Sequence, residues 1–285
     1  MRAAVSEYEF ATAETLAAAV QLLGAGEGWR PIAGGTDLMV LFNAGKLPFR
    51  RLVSIRTICE LCKIEVSDSR IEIGGAVTYS EIRNHSALQT EFPLLCQAAG
   101  WTGGTANQNR GTLGGNIANA SPAADSAPML LVYDAEIELT SGAGSRWVPY
   151  ANFHLAYKTV EMRSNELITR IRLPRPARDL RQYARKVGTR KAQAISKVCF
   201  AGVCEYGGGA LRNVRIALGS VAPVPLRCFD TEGVLEDRPL TADVIAEAKA
   251  TLCREIRPIT DIRSTVQFRS QVSANLLGEF LESAS

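Results

Sequence analysis

The sequence is poor in histidine and has an odd number of cysteines. Only His85 and His154 carry an imidazole among 285 residues, which excludes a metal centre built mainly from histidines. The seven cysteines are scattered, so they do not fit a disulfide framework. Cys59 and Cys62 form a lone CxxC with no second pair at a usable spacing. We interpret them as packing or surface cysteines rather than half of a metal or iron–sulfur site.

Long apolar runs and a strong charge of one sign are also missing. No stretch reaches the roughly 18 consecutive apolar residues of a membrane helix, so we predict no membrane span. The net charge of +3 is too small for a dedicated nucleic-acid-binding protein. The opening MRAAVSEYEF has no apolar signal-peptide core, and we expect a cytoplasmic protein. The composition, 46% hydrophobic and 21% charged, suits one large or two modest domains.

Helix and strand patterns alternate up to about residue 176, where the order of the predicted elements changes. Apolar spacing and N-cap residues, including a capping-box pattern at Thr78 and Glu81, predict helices at 12–23, 37–43, 78–84 and 93–100. Alternating patterns predict strands at 29–33, 52–55, 69–76, 135–140, 146–148 and 166–173. Beyond a connector at 174–179, we predict a hairpin of strands 196–206 and 211–218, then helices 242–256 and 264–281. We therefore divide the chain into domains 1–176 and 177–285.

Gly34 and Gly35 lie between a strand pattern and a helix pattern. Glycine allows a positive φ and lets backbone N–H groups approach a ligand without a Cβ in the way. The helix start that follows would point free N–H groups and the positive end of its dipole outward, and Thr36 adds a hydroxyl donor. These features suit a phosphate or pyrophosphate. The alternative is a tight strand–helix turn in which Thr36 or Asp37 is the N-cap.

A second glycine turn contains Gly111, Gly114 and Gly115. These residues again open the backbone to a ligand, and Thr112 and Asn116 supply hydrogen-bonding side chains. On its own, this stretch fits a structural turn and a ligand-binding turn equally well.

Ser121 and Pro122 have the pattern of an N-cap followed by proline at the first helical position. Asp125 would then lie one turn into that helix. Position 124 is alanine, so Ser121 has no capping box. Asp125 therefore either complements the helix dipole or is free to bind hydroxyl or ring N–H groups of a ligand.

Together these motifs resemble the FAD-binding subunit of the xanthine dehydrogenase family of molybdenum hydroxylases. The resemblance runs in order along essentially the whole chain. It is carried by Ala33-Gly-Gly-Thr-Asp-Leu38, Thr112-Leu-Gly-Gly-Asn-Ile117, Ala120-Ser-Pro-Ala-Ala-Asp125, Phe153-His154, Glu166-Leu167, Lys186-Val-Gly188, Ala194-Ile-Ser196, Gly219-Ser-Val-Ala-Pro223 and Pro225-Leu-Arg-Cys228. Within the family, Gly-Gly-Thr-Asp is closer to xanthine dehydrogenase-type subunits than to carbon monoxide dehydrogenase flavoproteins.

The resemblance implies an α+β fold: a two-lobed FAD-binding domain of the vanillyl-alcohol oxidase (PCMH) type, followed by a smaller α+β C-terminal flavoprotein domain. It assigns the pyrophosphate and ribityl chain of FAD to Arg30, Pro31, Ile32, Ala33, Gly34, Gly35, Thr36, Asp37, Gly111, Thr112, Leu113, Gly114 and Gly115. Asn116 and Asp125 would hold polar groups of FAD, with Leu167 and Lys186 near the flavin. No catalytic residue or metal ligand is assigned to this chain. Alternatively, Lys186 is one more solvated cation of the basic stretch 175–191.

The resemblance also implies partners. In this family, electrons pass from a molybdopterin centre on a large subunit, through two [2Fe-2S] clusters on a small subunit, to FAD and then to NAD+ or another acceptor. The chain would belong to a dimer of heterotrimers, with xanthine as the leading substrate and carbon monoxide, aldehyde and N-heterocycle dehydrogenases as alternatives. The cysteine-bearing insert of benzoyl-CoA-reducing relatives is missing from the sequence, which argues against that activity.

A hypothesis of a different class is a binding module that uses the Arg-rich stretch 175–191. Such a surface could contact nucleic acid or an acidic protein. Only Tyr183 places an aromatic ring among these cations, so base stacking is poorly supported and we expect no nucleic-acid partner.

Overall fold

The computed structural model describes residues 5–190 and 193–284. Its first lobe contains β1 (Glu9–Thr12), α1 (Leu16–Gly24), β2 (Trp29–Ile32), α2 (Leu38–Asn43) and β3 (Arg51–Ser54). The strands form a parallel sheet of order β1-β3-β2. Thr15 caps α1 by accepting a hydrogen bond from the Ala18 N–H at 3.1 Å. The predicted start of this helix at Thr12 is wrong, because Thr12 ends β1 opposite Ser54.

The second lobe combines one sheet with six helices and a small hairpin. Its elements are β4 (Ile64–Val66), β5 (Arg70–Gly74), α3 (Tyr79–Asn84), α4 (Ser86–Glu91), α5 (Pro93–Trp101), α6 (Thr105–Gln108), α7 (Leu113–Asn119), α8 (Ala127–Val132), β6 (Glu136–Ser141), β7 (Gly144–Pro149), β8 (His154–Ala156), β9 (Thr159–Val160) and β10 (Leu167–Pro174). The sheet is antiparallel with order β4-β5-β10-β6-β7. The capping box at Thr78 and Glu81 is confirmed.

The C-terminal part contains β11 (Arg181–Val187), β12 (Val198–Gly207), β13 (Ala210–Gly219), β14 (Leu226–Arg227), α9 (Phe229–Leu235), α10 (Ala242–Glu255) and α11 (Val266–Ala284). The strands form an antiparallel sheet of order β11-β12-β13-β14, so the predicted hairpin and both closing helices are confirmed. An ideal Cβ on Gly202 would lie 2.9 Å from the Phe280 ring, so glycine lets α11 pack closely on the sheet. Within the two described ranges, no helix has the length and apolar character needed to cross a bilayer.

The helix predicted to start at Ser121 is misplaced. The chain is already helical in α7, where Thr112 is the N-cap and its hydroxyl oxygen accepts from the Gly115 N–H at 3.1 Å. Ala120 ends α7 in the left-handed conformation, with φ of 51°. Ser121 makes only a local turn by accepting from the Ala123 N–H at 3.3 Å. The next helix, α8, begins at Ala127, and all its residues are buried.

Residues 181–187 of the basic stretch 175–191 form β11, which the sequence analysis did not predict. Its alternation is hidden because both faces of this edge strand carry long polar side chains, while Tyr183 packs against Phe200 and Phe280. Ion pairs join four cations of the stretch 175–191 to carboxylates: Arg175 to Glu91, Arg178 to Glu205, Arg185 to Glu279 and Lys186 to Asp125. Lys191 lies outside the described residues. These pairs weaken the case for a nucleic-acid surface.

Glu166 tests the packing of the second lobe, because its carboxylate joins Arg146 on β7 to the segment that leads into β10. Its carboxylate accepts from Arg146 Nε at 2.7 Å and Nη2 at 2.9 Å, and from the Arg163 backbone N–H at 2.8 Å. We expect Glu166→Ala to lower the free energy of unfolding by about 2 kcal/mol at neutral pH. Glu161→Ala, which removes the more exposed partner of Arg146, should cost less than about 1 kcal/mol.

The effect of Glu166→Ala should depend on pH. The hydrogen bonds from Arg146 lower the pKa of Glu166 below its usual 4.5. A depressed carboxyl pKa contributes stability above the unfolded-state pKa, and this contribution is lost as pH falls through the folded-state value. Urea unfolding of both variants at neutral and acidic pH measures this difference. An equal cost for Glu161→Ala and Glu166→Ala would contradict the assignment.

Candidate functional site

The two glycine turns are in direct backbone contact. An ideal Cβ built on Gly34 would lie 1.8 Å from the Arg110 carbonyl oxygen and 3.0 Å from the Gly111 Cα, so only glycine fits there. An ideal Cβ on Gly111 would in turn lie 3.3 Å from Thr36 Oγ1. The structure therefore brings together the two turns that the sequence analysis assigned to one ligand, although about 75 positions separate them along the chain.

The first turn carries a run of available backbone donors. Among the described residues, no hydrogen bond engages the backbone N–H of any residue from 33 to 37. Gly35 has a φ of 73°, which turns the chain at this point, and its carbonyl accepts from the Met39 N–H at 2.9 Å. Asp37 is the N-cap of α2 but makes no side-chain capping bond. Consecutive free N–H groups beside a helix start form a concave donor array that suits phosphate oxygens.

The second turn uses its glycines differently. The Gly111, Gly114 and Gly115 N–H groups donate to Asn107 O at 2.6 Å, Gly75 O at 3.1 Å and Thr112 Oγ1 at 3.1 Å, respectively. The neighbouring Leu113 N–H donates to Val77 O at 3.1 Å. These donors are therefore committed to the protein. An ideal Cβ on Gly114 would lie 2.5 Å from Gly75 O, so this turn permits close packing beneath the first one.

Asp125 and Lys186 form a buried ion pair between the second lobe and the C-terminal sheet. Lys186 Nζ lies 2.6 Å from Asp125 Oδ2 and 3.3 Å from Trp101 O. The two side chains are only 8% and 9% exposed. Ser196 donates to the other carboxylate oxygen at 2.5 Å. Burial raises the pKa of the Asp125 carboxyl, and the Lys186 ammonium opposes that rise.

This pairing corrects two expectations of the sequence analysis. Asp125 directly precedes the N-cap of α8, so its predicted position one turn into a helix that starts at Ser121 is wrong. Its carboxylate is also not free of protein partners. Lys186 is not a solvated cation of a basic face, because its ammonium is buried against Asp125. Ser196 is part of the family resemblance, which gives it no role. It lies 71 residues from Asp125 along the chain, so the sequence does not indicate the hydrogen bond between them.

The other candidate residues lie in β2, in α7 and in the apolar core of the first lobe. Arg30, Pro31 and Ile32 form the end of β2 and lead into the first turn. Asn116 lies in α7, and its side-chain oxygen accepts from Ser126 at 2.9 Å. Leu167 is 4% exposed and packs within the apolar core of the first lobe.

Among the described residues, the buried Tyr79 hydroxyl has no hydrogen-bond partner, while the Tyr79 backbone N–H donates to Gly111 O at 3.1 Å. An ideal Cβ on Gly111 would lie 3.6 Å from the Tyr79 ring, so this ring packs against the second turn. The sequence analysis identified Tyr79 only as part of the helix 78–84 and gave it no role in the site.

Cys62 and His85 lie at a separate surface cavity of about 440 Å³, which Ser80, Glu81 and Asn84 also line. Cys59 is exposed, and burial raises the pKa of the Cys62 thiol. Within residues 5–190 and 193–284, no group of three or more histidine, cysteine or carboxylate side chains is arranged to hold a metal ion.

Comparison with known proteins gives matches along nearly the whole chain. Residues 6–176 match the family model for the FAD binding domain in molybdopterin dehydrogenase, and residues 183–284 match the CO dehydrogenase flavoprotein C-terminal domain. The xanthine dehydrogenase FAD-binding subunit of Escherichia coli is 31% identical over 267 residues, which cover 92% of this chain and 91% of that one. The glyceraldehyde dehydrogenase medium chain of Sulfolobus acidocaldarius is 27% identical, with coverage of 93% and 94%.

A solved structure shows the same similarity in three dimensions. A chain of the carbon monoxide dehydrogenase from Hydrogenophaga pseudoflava superposes with a TM-score of 0.93 at 26% sequence identity, covering 98% of this chain and 97% of that one. Fold and site thus define a flavoprotein. The chain belongs to the family of FAD-binding medium subunits of molybdenum hydroxylases, with an FAD-binding domain followed by a C-terminal flavoprotein domain. The resemblance and the α+β fold class predicted from the sequence are confirmed.

The Asp125–Lys186 pair gives a prediction that can be measured without any ligand. Asp125→Ala leaves the Lys186 ammonium buried and unpaired, so we expect the free energy of unfolding to fall by about 3 kcal/mol. Asp125→Ala with Lys186→Met removes both charges and should recover part of that loss. Arg178→Ala breaks a pair whose arginine is 74% exposed and should cost less than about 1 kcal/mol. A double variant less stable than Asp125→Ala alone would contradict the buried-pair assignment.

Proposed function

We propose that this chain binds FAD across its two glycine turns and serves as the electron-transfer subunit of a multi-subunit molybdenum hydroxylase. The observation that carries the proposal is the run of unpartnered N–H groups at 33–37, packed against the backbone of residues 110–111. Residues 33–35 are half-buried, whereas Thr36 and Asp37 are exposed, so the N–H groups of residues 33–35 are the ones with limited access to water. The oxygens of a pyrophosphate would accept hydrogen bonds from such donors.

The surrounding residues fit the remaining parts of such a ligand. Bound FAD supplies two-electron redox chemistry, and the protein binds and orients it. Asp125 retains lone pairs that can accept from ligand hydroxyl or ring N–H groups. Lys186 donates to Asp125 and Trp101, which leaves the third N–H of its ammonium for the ligand. Leu167 acts through packing beneath the site rather than through polar contact. The second turn supports the first one through the backbone contact of Arg110 and Gly111 with Gly34, and Asn116 accepts a hydrogen bond from Ser126.

The relatives suggest what the complete enzyme does. The Escherichia coli subunit named for xanthine dehydrogenase is 31% identical, whereas the medium chains named for glyceraldehyde and carbon monoxide dehydrogenases are 27% and 26% identical. We therefore propose xanthine as the substrate of the complex, with aldehydes, N-heterocycles and carbon monoxide as alternatives. The partners would be a molybdopterin-containing large subunit and a [2Fe-2S] small subunit, in a cytoplasmic dimer of heterotrimers that reduces NAD+ or another acceptor.

Flavin binding is the first test of this proposal. We expect the purified chain to bind one FAD, seen as a flavin absorption spectrum and identified after release by denaturation. FMN lacks the pyrophosphate and should bind at least about tenfold more weakly. Equal affinity for FMN would contradict the role of the first turn, and no FAD binding in the presence of excess FAD would contradict the proposed function of the chain.

Gly35→Val tests the turn itself. A branched side chain at φ of 73° strains the backbone and obstructs ligand approach to the adjacent N–H groups. We expect the variant to lose bound FAD. Gly45→Val is a matched control, because Gly45 has a φ of 66° just beyond the other end of α2. It should suffer similar backbone strain and keep FAD. If folded Gly35→Val retains one FAD per chain, the assignment of the FAD pyrophosphate to the first turn is wrong.

The substrate proposal needs the complete complex. In the complex purified with its partner subunits, xanthine should bleach the flavin absorption under anaerobic conditions, and NAD+ should restore it. Bleaching by an aldehyde or nicotinate without bleaching by xanthine would replace the proposed substrate and leave the FAD assignment intact.

A further inference from the structure

The carboxylate of Asp125 is held by two donors that both belong to the C-terminal part of the chain. Lys186 on β11 contacts Oδ2, and Ser196, in the segment before β12, contacts Oδ1. Ser196 is only 1% exposed, so its hydroxyl has no water with which to exchange this bond. A donor on each oxygen fixes both the position of the carboxylate and its rotation about the Cβ–Cγ bond, which is otherwise a soft torsion.

We propose that Ser196 is a positioning residue of the flavin site, which holds the Asp125 carboxylate in the orientation that binds FAD. This inference rests on the proposed function. Ser196 need not touch the ligand; it acts through Asp125. The geometry also implies that the FAD-binding domain does not complete its own site, because both groups that orient Asp125 come from outside residues 6–176.

The alternative is that Ser196 only satisfies its own buried hydroxyl. The same interface offers a comparison, because Ser220 is a second serine with a buried Oγ, and that atom has no hydrogen-bond partner within residues 5–190 and 193–284. The Ser220 backbone N–H donates to Pro122 O at 2.8 Å, three positions before Asp125. Ser220→Ala therefore removes a buried hydroxyl beside the same segment without touching the carboxylate.

The test is FAD affinity of the full-length chain, measured by titration of the flavin-free protein with quenching of flavin fluorescence. A hydrogen bond to a charged group is worth about one factor of ten or more, so Ser196→Ala should raise the Kd for FAD about tenfold. Ser220→Ala should change it less than about twofold. Ser196→Cys keeps the side-chain volume but offers only a weak S–H donor, so it should weaken binding as Ser196→Ala does, even if the alanine variant folds poorly.

A double-mutant cycle shows whether Ser196 acts through Asp125. In the Asp125→Ala background, Ser196→Ala should cause no further loss of FAD affinity, since the carboxylate it positions is gone. A tenfold loss in both backgrounds would overturn the positioning role and indicate a structural one. Unchanged affinity of Ser196→Ala and Ser196→Cys, with normal binding by the wild-type chain, would overturn this proposal alone. Failure of the wild-type chain to bind FAD would overturn the proposed function and this inference with it.

Discussion

The ion pair of Asp125 and Lys186 is the interaction on which the arrangement of the candidate site depends, because it joins the second lobe to the C-terminal sheet. Removing a charge from water is costly, and this cost is offset by the Lys186 ammonium on β11 and by the Ser196 hydroxyl in the segment before β12. A pair of apolar side chains could fill the same space with no such cost. An ion pair retained at this position, next to two ligand-suited turns, therefore points to a role in function rather than in stability.

Further contacts hold the same two surfaces together and keep the ion pair in register. Arg227 donates to Leu131 O at 3.0 Å and to Asp134 at 2.8 Å, and Arg215 reaches the second oxygen of Asp134 at 2.6 Å. Tyr133 donates to Gln182 at 2.6 Å. These four hydrogen bonds lie at the C-terminal end of α8, between Leu131 and Asp134, and the residues of α8 are buried between the lobe and the sheet. Helix α8 thus carries Asp125, at its N-terminal side, on a rigid support.

The sequence was sufficient to locate most strands, the two long C-terminal helices and both glycine turns, because apolar periodicity and glycine pairs are local signals. It was insufficient wherever tertiary contact overrides a local pattern. Helix α7 was missed because glycines at 114 and 115 disfavour a helix, yet the fold requires glycine at 114 for its close approach to the Gly75 backbone. Strand β11 was missed because its cations hide the alternation.

The environment of Asp125 could not be predicted for a different reason. Lys186 and Ser196 lie 61 and 71 residues away along the chain, and nothing in the spacing of these three residue types signals a contact. Only the resemblance to a known family placed Asp125 and Lys186 in one site, and it gave them separate roles. The structure shows that the two side chains pair with each other, and that Ser196, which the sequence analysis left without a function, donates to the same carboxylate.

The two glycine turns resemble each other in sequence, but the lack of a side chain has a different consequence in each. In the second turn, glycine removes side chains so that backbones can pack, and every glycine N–H is bonded to the protein. In the first turn, the N–H groups of residues 33–35 are half-buried and make no hydrogen bond among the described residues, whereas Thr36 and Asp37 are exposed. A donor array that is fixed before binding loses less conformational entropy when a ligand arrives, and the second turn fixes the first one through backbone contact. The backbone contact between Gly34 and Arg110 provides that support. A larger residue at position 34 would therefore push the first turn away from the second one and also block the N–H donors of the first turn.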